Sequence, residues 1–371
     1  MRAPVSDEAR MLRDSAVALC AAEFPIERVR RMADEPGGIA PAAAEALAAR
    51  GWLGILVPEA LGGLGLGIRE LGIVLEELGR ALVPGPFWSA ATLGVPAIAA
   101  CPDQSLREEW LEAVTTGARR VTLALQEDGG LPSPDRLTVV AEAGGGGRYR
   151  LRGTKRLVPD LPGADGIAVV ARGPDGPAVF LVDAGAKGVR IEENRTIDST
   201  SRYGTLDLDG VEVTDRECLG RWDLVTRLLQ WGNVGIAAGS VAGAQTVFDQ
   251  AIGYARHRTQ FGVAIGTFQA VQHPLADLFG DIESARSAYL YAAWAVDQGA
   301  PDAPEAVALA RLLGPATYRK AGTTSLQTHG GIGFTWEYDL HLHLKRALHL
   351  QWLLGGAADY EETIAGRALG I

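Results

Sequence analysis

The sequence predicts an α+β protein in three blocks: an N-terminal helical domain over 1–118, a central antiparallel β domain over 119–222, and a C-terminal helical bundle over 223–371. Three observations carry this. A chain of 371 residues exceeds one ordinary core. Both ends are rich in Ala, Leu, Glu and Arg with apolar residues at helical spacing. The middle breaks into short β-branched runs separated by turn residues.

In the first block, Leu71, Val74, Leu75, Leu78 and Leu82 recur at helical spacing, and Pro84 and Pro86 end that helix. The GGLGLG segment (62–67) imitates a dinucleotide fingerprint, but no strand runs into it, so it reads as a loop between helices. In the second block, VTLAL, RLTVVAEA, YRLRG, GIAVVA, AVFLVDA, GVRIEE and GTLDLDGVEV read as strands. GGGG (144–147) and GPDG (173–176) supply turns between them. In the third block, Gly235, Gly239 and Gly243 form a small-residue ridge for close approach of another backbone or a ligand. Val271, Leu275, Leu278, Ile282, Ala285 and Tyr289 mark one face of a long amphipathic helix.

Bulk properties exclude several classes. A net charge of −10 argues against non-specific nucleic-acid binding. Cys20, Cys101 and Cys218 are scattered without a CxxC, so neither a disulfide framework nor a zinc knuckle is expected. The opening MRAPVSDEARMLRDSAVALC is amphipathic and unlike a signal peptide, and the apolar stretch 231–244 is too short to span a bilayer. The expectation is a cytoplasmic protein without a membrane segment.

Four of the six histidines fall in THGGIGFTWEYDLHLHLKRALHLQWLLGG (328–356). His341 and His343 are two apart on a helix and point to different faces, and His349 lies two turns from His341, so no metal is expected there. Asp339 and His343 are spaced for an i,i+4 pair. Two glycine-bearing turns remain. RTQFG joins two long helices and offers a guanidinium fork suited to pyrophosphate. QTHGGIGF has glycines that admit close backbone approach before a helix N-terminus.

Taken together, RTQFG with FQAVQHPLAD, QTHGGIGFTWEYDLHLHLKRA and the N-terminal LGILVPEALGGLGLGIRELGIVLEELGRAL resemble the acyl-CoA dehydrogenase family over nearly the whole chain. The resemblance implies FAD, an acyl-CoA substrate, and electron-transfer flavoprotein as electron acceptor. It implies that Arg258 grips the FAD pyrophosphate and that Gln260, Phe261 and Gln269 line the same stretch. It also sets Gln327, Gly330 and Gly331 near the adenosine and pyrophosphate, in each case toward FAD seated mainly in a neighbouring subunit.

The same resemblance exposes departures. The family's catalytic glutamate occupies one of two places, which fall here on Gly232 and Leu354; only Glu361, seven residues late, offers a relocated base. The flavin-lining loop reads QEDGGLPSPD (126–135) with only Glu127 in register. The flavin strand reads LVPD, with Leu157 at the tryptophan position and Pro159 at the threonine position. The expectation is the non-base subunit of a heteromeric acyl-CoA dehydrogenase, pairing with a glutamate-bearing subunit and acting on a CoA thioester, with steroid side chains as one substrate class. An active homo-oligomer with a relocated base and a non-catalytic scaffold are the alternatives.

Overall fold

The computed structural model describes residues 6–34, 38–128, 130, 131 and 133–370. Residues 1–5 of the opening amphipathic stretch, and Gly129 and Pro132 of QEDGGLPSPD, lie outside them.

The N-terminal region contains α1 (Asp7–Glu23), α2 (Ile26–Ala33), α3 (Pro41–Ala48) and α4 (Ile68–Arg80). Next comes a bent helix running from α5 (Phe87–Ser89) through a π-helical turn (Ala90–Gly94) into α6 (Val95–Ala99), and then α7 (Gln104–Thr115). The GGLGLG segment is a loop, as its sequence predicts, and it prepares the start of α4. Asp297 from the C-terminal bundle accepts from the Ile68 and Arg69 N–H groups at 2.8 and 3.1 Å. A carboxylate there satisfies orphan donors and meets the positive end of the helix. A Cβ at Gly67 would sit 2.4 Å from Asp297 Oδ2, so this approach requires glycine.

Eight strands follow: β1 (Val121–Ala124), β2 (Val140–Gly145), β3 (Arg148–Pro159), β4 (Gly166–Gly173), β5 (Gly176–Asp183), β6 (Val189–Asn194), β7 (Tyr203–Thr214) and β8 (Cys218–Arg221). They form one sheet in the order β6-β7-β3-β2-β4-β5-β8, with β1 joined to β4. GGGG and GPDG turn the β2–β3 and β4–β5 hairpins. Most pairings are antiparallel as expected, but β1 runs parallel to β4, and β2 meets β4 in parallel at Val140 and Arg172. The sheet is therefore mixed. Its own core gathers Leu151, Ile167, Val169, Phe180 and Leu206.

The C-terminal bundle is α8 (Trp222–His257), a two-residue hairpin of β9 (Thr259–Gln260) and β10 (Val263–Ala264), then α9 (Gln269–Gln298), α10 (Ala303–His329), α11 (Leu340–Leu350) and α12 (Ala357–Leu369). The glycine ridge of α8 is packing. A Cβ at Gly79 of α4 would lie 2.6 Å from the Gly239 Cα, and one at Gly243 would strike the Tyr318 ring at 2.3 Å. Gly235 faces Leu75 and Trp88. The amphipathic face expected on α9 is buried from Leu275 to Tyr289, and the Tyr289 hydroxyl donates to buried Glu76 at 2.9 Å. Among the described residues no helix is long and apolar enough to cross a membrane.

Candidate functional site

Two regions concern function: an exposed face at the C-terminal end of α8, and an interior cleft between the three blocks.

On the exposed face, α8 ends at His257 and Arg258 turns the chain outward into the β9–β10 hairpin. Phe261 and Gly262 form its tip with φ of 52° and 81°. That is the left-handed geometry a two-residue hairpin turn demands. Phe261 is 93% exposed. The Arg258 guanidinium has no hydrogen-bond or ion-pair partner among the described residues. Gln260 and Gln269 are exposed on the same connection, Gln269 opening α9. At the end of α10, Gln327 is exposed. Gly330 has φ 63°, and a Cβ on either Gly330 or Gly331 would meet nothing within 4 Å, so that backbone is open to an approaching group. The two motifs are joined by a ring contact: Tyr254, one turn before Arg258, lies 4.4 Å from His329, the residue before Gly330. Cation, amides and open glycines are what an anionic nucleotide requires.

The histidines have other duties. His343 is buried and its Nδ1 is 2.6 Å from the Tyr318 hydroxyl. The expected Asp339–His343 pair does not form, because Asp339 reaches across to Arg30 at 2.5 Å. His341 packs edge-on against Trp336, and the His349 ring is tilted against Tyr203. Burial holds His343 down to about 3 and His349 to about 4, so both rings are neutral. Among the described residues, no three His, Cys, Asp or Glu side chains cluster as metal ligands.

In the interior cleft, the two expected base positions meet. A Cβ at Gly232 would lie 2.8 Å from Leu354 Cδ1 and 3.1 Å from Leu93 Cδ2. Trp88 closes the remaining side and donates from Nε1 to the Gly232 carbonyl at 3.2 Å. Leu354 is buried with φ 55°, a costly backbone for leucine. Its neighbours hold it there. Arg311, 2% exposed and without a carboxylate partner among the described residues, donates to the Leu353 and Gly355 carbonyls at 2.7 and 3.0 Å. The Tyr360 hydroxyl contacts the Leu354 carbonyl and Asn233 Oδ1. Tyr360 points inward, and Glu361 beside it is exposed.

The cavity that remains encloses about 90 Å³ and is lined by Leu75, Trp88, Asp160, Tyr203, Gly235 and Arg346 among others. Ligand pockets run to roughly 300–1,000 Å³. The charged groups on its wall are held from within. Asp160, at the end of the LVPD strand with φ 52°, accepts from the Ser89 hydroxyl at 2.5 Å. Burial pushes the Asp160 carboxyl up to about 6, against the hydrogen bond from Ser89 and the charges of Arg346 and Arg120. Arg346 donates to Asp198 and to the Thr200 hydroxyl, each at 2.5 Å. The Pro159 carbonyl accepts from Thr122. Leu157 has φ 47° and is 43% exposed.

Glu127 is likewise occupied. It pairs with fully buried Lys155 at 2.7 Å and accepts from Thr138 N–H and Oγ1 and from Val139 N–H. Burial lowers Lys155 to about 8. Burial alone would raise the Glu127 carboxyl, but the Lys155 bond and charge together with the Thr138 hydrogen bonds hold it below the usual carboxylate range.

None of Arg258, Gln260, Phe261, Gln269, Gln327, Gly330 or Gly331 lines the interior cavity. Asp160, Arg346, Asp198, Trp88 and Arg311 escaped the reading by sequence. Asp160 and Arg346 stand inside quoted motifs, and a charge among apolar neighbours was the available signal.

Comparison with known proteins bears on both regions. Residues 6–118 match the model of the acyl-CoA dehydrogenase N-terminal domain, and residues 222–370 that of the acyl-CoA dehydrogenase C-terminal domain. Acyl-CoA dehydrogenase FadE27 of Mycobacterium tuberculosis is 32% identical over 326 residues, 86% of this chain and 85% of the relative. The ChsE4-ChsE5 complex from Mycobacterium tuberculosis contains a chain that superposes with a TM-score of 0.91 at 30% identity, over 100% of this chain and 99% of that one. A chain of a variant of the Tcur3481-Tcur3483 steroid ACAD gives 0.89 at 32% identity, over 99% of each.

Proposed function

The chain belongs to the acyl-CoA dehydrogenase family, oxidoreductases acting on the CH–CH bond of an acyl-CoA, and we propose that within it this chain is the non-base subunit of a hetero-oligomer, completing a partner's FAD site. One observation carries the reading: Arg258, Gln260 and Gln327 stand exposed on an outer face while its own cleft is narrowed by its own side chains to about 90 Å³.

Desaturation begins with loss of the α-proton, a poor acid, to a base within hydrogen-bonding reach. Gly232 and Leu354 have no proton acceptor to offer, and Glu361 faces solvent. The α-proton is therefore taken by the partner's glutamate. FAD, when bound, accepts the hydride from the β-carbon. Arg258 would hold its pyrophosphate, Gln260 and Gln327 would orient it with their amides, and Gly330 and Gly331 would admit its approach. Phe261 and Gln269 line the same contact, and Phe261, Phe334 and Trp336 (93%, 72% and 67% exposed) supply apolar area for the partner.

The chain's own cleft does not fit a flavin ring. Pro159 lacks both hydroxyl and N–H, Asp160 and Arg346 are held by internal partners, and about 90 Å³ is left. Two solved structures favour this reading in kind, since ChsE4-ChsE5 is a complex and Tcur3481-Tcur3483, likewise named as a pair, is called a steroid ACAD. On that analogy the substrate is a CoA thioester of a steroid side chain, and the electron acceptor is electron-transfer flavoprotein.

The test is flavin content of the co-expressed complex. Arg258→Ala is expected to lower FAD per complex, and full retention of flavin and activity would contradict the reading.

A further inference from the structure

Behind the cleft, on the far side of the bent helix, lies a second cavity of about 490 Å³. The π-helical turn is the partition. Its first residue, Ala90, lines the second cavity. Leu93 of the same turn packs against the Gly232 position in the cleft. A π-turn inside a helix is uncommon and recurs at functional places.

The cavity wall is apolar, built of aliphatic, small and aromatic residues: Leu47, Ala48, Leu53, Phe87, Ala90 and Val114. Its volume is within the range of ligand pockets and far above the voids a packed domain tolerates. Glycine preserves one rim. Gly117 has φ +73°, and a Cβ there would lie 2.8 Å from the Ala48 Cβ. The opening runs along exposed residues 116–120 and carries Arg119 and Arg120 against one carboxylate, Glu45. Arg119 lies 4.5 Å over the Trp110 ring. Neither arginine has a carboxylate within 4 Å of its guanidinium among the described residues. In a chain of net charge −10, a locally cationic rim over an apolar hollow selects one kind of molecule.

We propose that this cavity binds an amphipathic monocarboxylate, its apolar chain or ring against Ala48, Phe87 and Ala90 and its carboxylate at Arg119 and Arg120. None of the residues placed at the FAD-completing face lines this cavity.

The test titrates the purified full chain with decanoate and, separately, with 1-decanol, following tryptophan fluorescence. Wild type is expected to bind decanoate saturably and 1-decanol about tenfold more weakly, the loss of one charge-assisted contact. Ala48→Trp, which fills the hollow, is expected to abolish both. Arg119→Ala with Arg120→Ala, at exposed positions, is expected to bring decanoate down to the affinity of 1-decanol. No saturable binding by wild type, equal affinity for the two probes, or unchanged decanoate affinity in the double arginine variant would each overturn the proposal.

Discussion

The outer face at Arg258 and the cleft at Gly232 belong to the same two helices, α8 and α10, yet they differ in how their polar groups are engaged. On the face, Arg258, Gln327 and the Gly330–Gly331 backbone are left open. In the cleft, the charged groups of the cavity and its wall are matched inside the chain: Asp160 by Ser89 and Asp198 by Arg346, with the Leu354 carbonyl met by Tyr360. Buried polar groups must be satisfied by something. A chain that has satisfied them internally has no call on a cofactor to do so. On the proposed reading, the guanidinium and two glycines left open are there for a ligand or a partner.

The comparison can be broken first at its most internal point. Lys155→Met leaves Glu127 buried without its cation, and removing one partner of a buried pair costs about 3–5 kcal/mol. Chemical denaturation should show that loss in the β domain. If Glu127 instead served a ligand on this chain, the variant would remain stable and lose binding.

On the face, Arg258→Ala should leave stability unchanged and weaken FAD retention in the complex by about tenfold or more, the worth of a charge-assisted contact. Equilibrium dialysis against FAD measures it. A fall in melting temperature without loss of FAD would move Arg258 from the cofactor to the fold.

Within the interior, acid acts on buried groups with opposite signs. Burial depresses His343 to about 3 and His349 to about 4, below their unfolded values near 6.5. Their contribution is complete above about pH 6.5 and is lost as pH falls toward those folded values. Asp160, raised to about 6 from an unfolded value near 3.9, runs the other way: its burdened charge is relieved as pH falls through 6. Two groups against one leaves these three with a net uptake of about one proton on unfolding between pH 4 and 6. Stability should therefore fall with pH through that window, and His343→Gln should flatten the slope.

A smaller effect tests whether the cleft is packed shut. Gly232→Ala should cost about 1–3 kcal/mol by overpacking against Leu354 and Leu93. In a Leu354→Ala background the cost should shrink, and a double-mutant cycle reads the difference. Additive costs would mean that the two positions do not touch. The smallest effect is at Glu361, where Glu361→Gln should change stability by less than about 0.5 kcal/mol and activity of the complex not at all.

Much of this was legible in the sequence because it is periodic. The helical stripe on α9 and the strand runs with their glycine turns depend on neighbours a few residues apart, and both formed as read. What depends on distant pairing was not legible. Nothing local marks β1 as parallel to β4, since a buried strand carries no sign of its partner's direction. Asp339 was spaced for His343 but found Arg30 from α2. The glycine ridge of α8 left packing and ligand approach open, and only the Gly79 and Tyr318 contacts decide for packing. At the site, resemblance located Gly232 and Leu354 as vacant positions, but their contact with each other, and with Trp88, belongs to the fold. Arg311 gave no signal, because a buried arginine that holds carbonyls looks in sequence like any helix cation.

The central claim is that this chain serves a neighbour's FAD and holds no flavin ring of its own. The most direct measurement is the visible absorbance spectrum of the chain purified alone, set beside that of the chain purified with a glutamate-bearing partner subunit. The account predicts a colourless protein alone and a yellow complex. A yellow protein in isolation, with close to one FAD per chain, would contradict it.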